Sequence, residues 1–445
     1  MKVLKFGGSS ISTANHIKNV CHIITDDKPK IVVFSAVFES TNLLSQLIDQ
    51  LHEANWIKAD TILTILKEKH LLIIESLFTS NNFKQIAVKK LNDTALTISK
   101  YFEKKINEKT EGIILAQGEQ ISSMIIYLYL LEQGYDAALI PALNYLKLTK
   151  DHDPDYEYIT RNLNKELNKH KGCLLFITQG FICINHKHQI TNLNRGGSDY
   201  TSTIIARSLN LESVEIWTDI NGLQNNDPRF VQNTKTIHYL SYAEASELAF
   251  FGAKILHPLT LKPLQHSNIP LTIKNTYLPE STGTSICNRE RTNNLKAVAS
   301  KDRITCIKVR SGKMMQAYGF LRKIFEVFER YQTSVDMLTT SEISVSMTIE
   351  NIQKLTNIQT ELSCLGEVAI EKNQSIICIV QDYFTNPNQS IQEIISALQN
   401  IPVKMITYGS SNINCSLIID TANKAEAMNL LNHDVLKNEA CLAEN

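Results

Sequence analysis

Lys5, Gly7, Gly8, Ser9 and Ser10 follow directly on the apolar run KVLKF and precede a helical pattern. Two glycines let backbone N–H groups approach phosphate oxygens without a Cβ in the way. A helix start adds partial positive charge and a lysine supplies a point charge. The spacing is neither GxxxxGK nor GxGxxG, so two commoner nucleotide loops are excluded. A tight turn between strand and helix accounts for the glycines as well. A second cluster is NRGGSDY, residues 194 to 200. Arg195 presents a planar fork that suits a carboxylate, Gly196 and Gly197 permit close approach, and Ser198 with Asp199 reads as the cap of the helix YTSTIIARSL. A capped turn explains all of these except the arginine.

Three further clusters are weaker alone. In IWTDINGLQNNDPR, residues 216 to 229, a strand ends in Thr218 and Asp219 and enters a polar loop closed by Asp-Pro-Arg229. Strand-end polar groups are well placed for a nucleotide, although such loops are often plain solvated connections. Ser241 and Glu244 are spaced as a capping box for a helix that ends at Gly252, with Lys254 just beyond. That lysine could neutralise phosphate charge or simply sit solvated at a helix C-terminus. Ser35 ends a second strand with Thr41 close behind, and Glu119 follows Gly118 at the expected start of the helix QISSMIIYLYLL. A hydroxyl can bind a substrate carboxylate and a carboxylate a substrate ammonium, and either can also be a helix cap.

The elements that must position these residues read as α/β. Up to about residue 290, short β-branched runs (KVLKF, KIVVFSA, CLLFITQG, VEIWTD) alternate with longer helical patterns, as a mainly parallel sheet covered by helices requires. After the first run, Thr13 opens a helix with Ile17, Val20, Cys21 and Ile24 on one face. From about residue 300 the order β-α-β-β-α occurs twice, in copies of about 70 residues, each like a ferredoxin-like split βαβ unit. The reading is a domain over 1–290 and two small α+β units over 298–445, the first about 304–372 and the second about 373–445. The polar stretch 287–297 is the linker between the halves.

Composition narrows the partners. In 445 residues, 43% hydrophobic and 20% charged, 45 Lys and Arg balance 45 Asp and Glu, so no global field would hold the chain on nucleic acid or an anionic membrane. There is no run of 18 consecutive apolar residues and no apolar stretch of signal-peptide type at the start, so the expected location is cytoplasmic. Nine cysteines, scattered singly without a C-x-x-C pair, read as reduced and mostly buried thiols, with no metal site expected.

Taken in order and spacing, KFGGSS, the SAxxxxTN of residues 35 to 42, GE at 118 and 119, NRGGSDYT, WTDxxG with DPR, and FGAKILHP resemble the aspartokinases of the amino-acid-kinase superfamily. The likeness is greatest to the lysine-sensitive monofunctional class and covers essentially the whole chain. It implies a three-layer kinase fold that phosphorylates the side-chain carboxylate of L-aspartate with ATP and Mg2+, the metal bound mainly through the nucleotide. By the same resemblance, Lys5 and Lys254 would stabilise the transferring phosphoryl group and Asp199 would organise the lysines. Gly7, Gly8, Thr218, Asp219, Gln224 and Arg229 would hold nucleotide. Arg195 would grip the substrate α-carboxylate and Glu119 its ammonium, with Ser35, Thr41, Gly196 and Ser198 completing the pocket.

The C-terminal repeats resemble tandem ACT domains, which in this family pair across a homodimer or homotetramer and bind an end-product amino acid, lysine foremost. The family generally inserts the first unit within the second. Residues alone point to the start of the helix GFLRKIF for an effector carboxylate and to Asp336 for its ammonium. The resemblance adds Met314, Phe320, Leu321 and Val335, though the last three would be core residues in any such unit.

The chain departs from the family at Gln316 and Ala317, where lysine-sensitive relatives usually have His and Ser. The loop AVFES lacks the family's glycine, so Phe38 and Glu39 must adopt another conformation or narrow the pocket. Ala-Leu-Asn replaces a common D-x-R at 142–144, and Gln224 stands where a tyrosine often lies. Two alternatives stand beside an active aspartate kinase. One is another kinase of the same superfamily, such as a glutamate, carbamate or nucleoside-monophosphate kinase, against which the paired C-terminal units and FGAKILHP speak. The other is a catalytically weak, aspartokinase-like regulatory subunit.

Overall fold

The computed structural model describes residues 1–193, 196–252, 256–288, 297–315, 318–381, 387–409 and 412–434. Two compact units emerge: one holds 1–223, 236–242 and 255–289, the other 224–235, 243–254 and 290–445.

In chain order the elements up to residue 288 are β1 (Lys2–Phe6), α1 (Ala14–Ile24), β2 (Lys30–Phe34), α2 (Ser40–His52), α3 (Trp56–Leu77), α4 (Asn81–Ser99), α5 (Glu108–Glu132), β3 (Ala137–Ile140), α6 (Tyr156–Asn168), β4 (Leu175–Gln179), β5 (Ile182–Ile184), β6 (Ile190–Asn192), α7 (Gly197–Leu209), β7 (Val214–Thr218), β8 (Tyr239–Leu240), α8 (Tyr242–Phe251), α9 (Pro258–Ser267), β9 (Leu271–Asn275) and β10 (Thr284–Ile286). Eight strands form one sheet in the order β3-β4-β2-β1-β7-β9-β10-β8, parallel except where β10 meets β9. Strands sealed on both faces need no polar alternation, and β2 (KIVVF) and β4 (LFITQ) are buried at every position. Leu4, Phe6, Val32, Phe34 and Ile177 face a core shared with α1 and α5. Helix α1 begins as its sequence predicts: Thr13 caps it, its hydroxyl accepting from the His16 N–H.

Helix α5 corrects the expected position of Glu119. The helix starts at Glu108, behind an Asn107 cap that accepts from the Thr110 N–H, so Glu119 lies in its middle. The helical pattern runs through Gly118 because a Cβ there would lie 2.9 Å from the Ala36 Cβ: the glycine serves a close approach, not a break. By length and composition α5 could cross a bilayer, but 72% of its most apolar window is buried in this fold.

The second unit carries β11 (Ala297–Arg310), α10 (Phe320–Arg330), β12 (Leu338–Thr340), β13 (Ser344–Ile349), α11 (Leu355–Ser363), β14 (Glu367–Val380), α12 (Pro387–Ala397), β15 (Met405–Tyr408), β16 (Asn414–Asp420) and α13 (Lys424–Asp434). Its six strands form one sheet in the order β12-β13-β11-β14-β16-β15. Both copies of the repeat are present, and each is completed by a strand the sequence pattern did not separate. The two central strands are double length. Arg310 to Ile304 pair with Glu367 to Gln374 in the first repeat, Lys301 to Ala297 pair with Ile376 to Val380 in the second, and the register shifts between them. Each repeat keeps its own core, one around Ile307, Phe328 and Met347, the other around Ile377, Ile394 and Leu417. Phe230 and Val231, from the loop after β7, pack with the second of these cores.

Candidate active site and effector site

Strand alternation places the first lysine. Leu4 and Phe6 point into the α1/α5 core, so Lys5 points to the opposite face, where α7 packs. There its Nζ meets Oδ1 of Asp199 at 2.5 Å, both side chains only about a tenth exposed (11% and 12%). Asp199 lies in the first turn of α7, where an anion is favoured by the helix dipole. The expectation that Ser198 and Asp199 cap α7 is corrected: the cap is Gly196, at φ 77°, with no side-chain cap bond. A Cβ on Gly196 would lie 2.7 Å from the His257 Cβ, and one on Gly180 would lie 2.5 Å from the Ser198 Cβ. Both glycines are there for close approach. Arg195 and Lys254 lie outside the described residues.

Beyond β1 the chain turns sharply. The Gly7 N–H donates to the Trp217 carbonyl at 3.3 Å, and Gly7 and Gly8 carbonyls accept from Ser10 and Ile11 as a short 3₁₀ turn opens. A Cβ on Gly8 would stand 2.7 Å from the Ala36 carbonyl oxygen. The neighbouring strand ends are tied to this turn by hydroxyls the sequence reading missed. Ser10 Oγ and Thr276 Oγ1 are 2.7 Å apart, Tyr277 Oη donates to the Ser9 carbonyl at 3.0 Å, and the Thr276 N–H donates to the Thr218 carbonyl at 2.8 Å. Thr218 Oγ1 donates to Asp219 Oδ1 at 3.0 Å. The signal for Thr276 and Tyr277 was available in one respect only: they follow a strand, β9, that lies beside β7 in the sheet, and the pairing is not written in the sequence.

On the other side of β1 lies the carboxylate. Glu119 is 3% exposed; its Oε1 accepts the Ala36 N–H at 3.2 Å, while Oε2 is buried without a partner. Burial pushes its pKa up to about 8, against the pull of the Ala36 hydrogen bond. Ser122 Oγ donates to the Ser35 carbonyl at 2.8 Å, fixing the end of β2 on α5. Gln179, also missed from sequence, donates to Ser123 Oγ at 2.7 Å and accepts the Ala142 N–H at 2.8 Å, so the Ala-Leu-Asn turn is held to the same helix. Thr41 lies in the first turn of α2, partly exposed. The structure thus brings Lys5, Gly7, Gly8, Ser35, Glu119 and Asp199 to the carboxyl edge of adjoining strands, with Thr218 and Asp219 at the end of β7.

Gln224 and Arg229 fall in the other compact unit. Arg229 forks onto Asp227, Nε meeting Oδ1 at 2.9 Å, which holds the Asp227 carboxyl below its usual range against its burial. Phe230 beside it lies 3.8 Å beneath the Lys424 ammonium.

At the expected effector residues, Phe320 is buried, and Met314 and Val335 pack against the same core, whereas Leu321 is 38% exposed and so is not the core residue expected. Helix α10 opens on Gly319 at φ 76° without a side-chain cap. Asp336 Oδ1 is 3.0 Å from Lys301 Nζ, which also meets Glu350 Oε2 at 3.0 Å and lies 5.2 Å from the Phe250 ring centroid. The Asp336 carboxyl is held above its usual range by burial, opposed by Lys301, and its Oδ2 is buried without a partner. Gln316 and Ala317 lie outside the described residues.

The sheet, the Lys5–Asp199 pair and the glycine turn define a class. The model of the amino acid kinase family matches residues 1–275, and that of an ACT domain matches 390–435. The chain belongs to the amino acid kinase family. Among its relatives are the lysine-sensitive aspartokinase 3 of Escherichia coli K12, 29% identical over 98% of this chain and 99% of that one, and the chloroplastic aspartokinase 2 of Arabidopsis thaliana, 28% identical over 96% and 83%. Among solved structures, E. coli aspartokinase III in complex with aspartate and ADP, the R-state, is 27% identical with a TM-score of 0.85 over 98% of this chain and all (100%) of that one. The same enzyme in complex with lysine and aspartate, the T-state, has a TM-score of 0.80 over 98% and 99%.

Proposed function

We propose that the chain is an ATP-dependent aspartate kinase, converting L-aspartate to 4-phospho-L-aspartate for the synthesis of lysine, threonine and methionine. The observation that carries this is a buried acid, Glu119, one strand from a glycine turn flanked by the Lys5–Asp199 pair. An ammonium and a phosphate chain are what those two sets of groups suit.

The acceptor carboxylate is already a nucleophile at neutral pH, so the protein need not supply a base. Its oxygen bonds to the γ-phosphorus as the bond to the β,γ-bridging oxygen breaks, and ADP leaves with that oxygen's electron pair. What the chain contributes is alignment and charge screening. In this reading Lys5 and Lys254 neutralise the transferring group, and Asp199 fixes the Lys5 ammonium. Gly7, Gly8, Thr218 and Asp219 cradle the nucleotide. Glu119 takes the substrate ammonium and Arg195 its α-carboxylate, with Ser35, Thr41, Gly196 and Ser198 lining the pocket. At Gly7 a Cβ would meet nothing nearer than the Lys5 Nζ at 3.8 Å, so the space beside that lysine suits a phosphate chain, while Gly8 admits the Ala36 carbonyl of the neighbouring loop. Mg2+, bound mainly through the nucleotide, would offset the charge of that phosphate chain.

In the second unit, the uncapped start of α10 and the Asp336 carboxyl suit the two ends of an amino acid effector, lysine being the reading taken from the relatives. ACT-mediated homodimers or homotetramers and a cytoplasmic location belong to the same proposal; among the described residues the cysteines are all unpaired thiols, as a reducing compartment favours. An ADP-release assay with L-aspartate, L-glutamate and no acceptor tests the activity. Release that needs L-aspartate is expected, and release no faster than without acceptor refutes it.

A further inference from the structure

The loop after β2, Ser35 to Glu39, touches both halves of the proposed site. Its Phe38 N–H donates to the Gly8 carbonyl at 3.1 Å, its Ala36 carbonyl packs where a Gly8 Cβ would be, and its Ala36 N–H binds Glu119. A displacement of this loop would therefore move the phosphate turn and the ammonium-binding carboxylate together. Yet it ends in Glu39 at φ 64° and ψ −9°, a left-handed conformation that glycine enters freely and a side chain with a Cβ does not. A residue with a Cβ is strained there relative to glycine, and relaxation to negative φ would shift the loop against the turn.

One side chain from outside the loop opposes that relaxation. Lys69, from the middle of α3, donates to the Phe38 carbonyl, lies 3.4 Å from Glu39 Oε2 and sits 5.7 Å from the Phe38 ring centroid. It thus binds the strained residue's carboxylate, the peptide that precedes it and the adjacent ring at once. Ala36 and Val37 are buried, and the Phe38 N–H holds the Gly8 carbonyl, whereas Phe38 itself is 51% exposed, so at the loop tip the Lys69 ammonium supplies the contacts that packing does not.

The geometry points to Lys69 as a positioning residue for phosphoryl transfer: it clamps the glycine-free loop in the left-handed state and thereby sets Gly8 and Glu119 in register. The inference rests on the aspartate kinase reading for its kinetic consequence and on the loop alone for its structural one. The test uses the full chain as wild type, Lys69→Met, Glu39→Gly and the double variant. Two readouts are taken: kcat/KM for L-aspartate, and hydrogen–deuterium exchange of the peptide covering residues 35 to 42.

Lys69→Met is expected to lower kcat/KM about tenfold, since misplacements of about 1 Å at a reacting centre cost up to about a hundredfold. It should also speed exchange in 35 to 42 while leaving the rest of the chain unaltered. Glycine needs no clamp, so adding Glu39→Gly should restore both readouts to within about twofold of wild type. Unchanged exchange in Lys69→Met, or a double variant no better than the single one, overturns the proposal. A wild type that releases ADP no faster with L-aspartate overturns the substrate reading instead, and exchange then decides the clamp.

Discussion

Replacing Glu119 by glutamine removes an ionisable group and leaves the shape. In the native site one carboxylate oxygen holds the Ala36 N–H and the other is buried without a partner, which burial answers by raising the pKa to about 8. With a pKa there, roughly a tenth of the groups are ionised at pH 7. Binding of an ammonium then requires loss of a proton from the other nine-tenths. The KM for L-aspartate in the wild type is therefore expected to fall about tenfold as pH rises from about 7 to about 9. The glutamine variant has nothing to titrate. Its KM should be flat across that range, and at pH 9 higher than wild type by roughly 10- to 100-fold, the equivalent of about 1.5–3 kcal/mol for a charge-assisted hydrogen bond.

Stability should move the opposite way. Between the unfolded value of 4.5 and the native value of about 8, the native protein keeps a proton that the unfolded chain has lost. The stability this confers is complete below about 4.5 and drains away as pH climbs through about 8, by up to a few kcal/mol. Glu119→Gln escapes that loss, so above pH 8 it should unfold at higher urea concentration than wild type while binding substrate worse. Initial-rate kinetics and urea titrations at pH 6, 7, 8 and 9 measure both. A wild-type KM independent of pH, or a glutamine variant with the wild-type KM at pH 9, refutes the assignment of the substrate ammonium to this carboxylate.

Lys5→Met removes the cation paired with Asp199 at 2.5 Å, and kcat should fall by about 10²–10³ with the fold intact by circular dichroism. Gly8→Ala drives a Cβ to 2.7 Å from the Ala36 carbonyl, so backbone must shift; a loss of about 1–3 kcal/mol in urea unfolding and a raised KM for ATP are expected. Arg195→Ala should raise the KM for L-aspartate by roughly 10- to 100-fold, as loss of a bidentate carboxylate contact implies, and undiminished turnover at every aspartate concentration would sink its assigned role. Lys301→Ala leaves Asp336 and Glu350 facing each other without their shared cation, and the thermal midpoint of the chain should drop.

The sequence by itself determined the strands, because apolar β-branched runs such as KIVVF tolerate little else, and it marked the glycine turns, whose need for space is local. Thr13 as a cap was legible for the same reason: the bond it makes spans three residues. The doubled order of the C-terminal unit was also readable, although the long strands β11 and β14 were not, since which half of a strand serves which repeat depends on its partner's register.

Only the tertiary structure decided the charges and the close approaches. That Lys5 faces Asp199, 194 positions away by their numbers, follows from β1 lying between β2 and β7. That Gly118 sits inside a helix follows from the Ala36 loop pressing on it. Glu119 looked like a helix start because its neighbours are small and polar, but its pKa is set by how much of the fold closes over it. The missing glycine led to the expectation of another conformation in this loop, but Glu39 keeps the left-handed backbone that glycine enters freely, and the lysine that contacts it comes from thirty residues on, in another helix. Local sequence fixes what each backbone segment can do; desolvation and ion pairing are properties of what the sheet order brings alongside it.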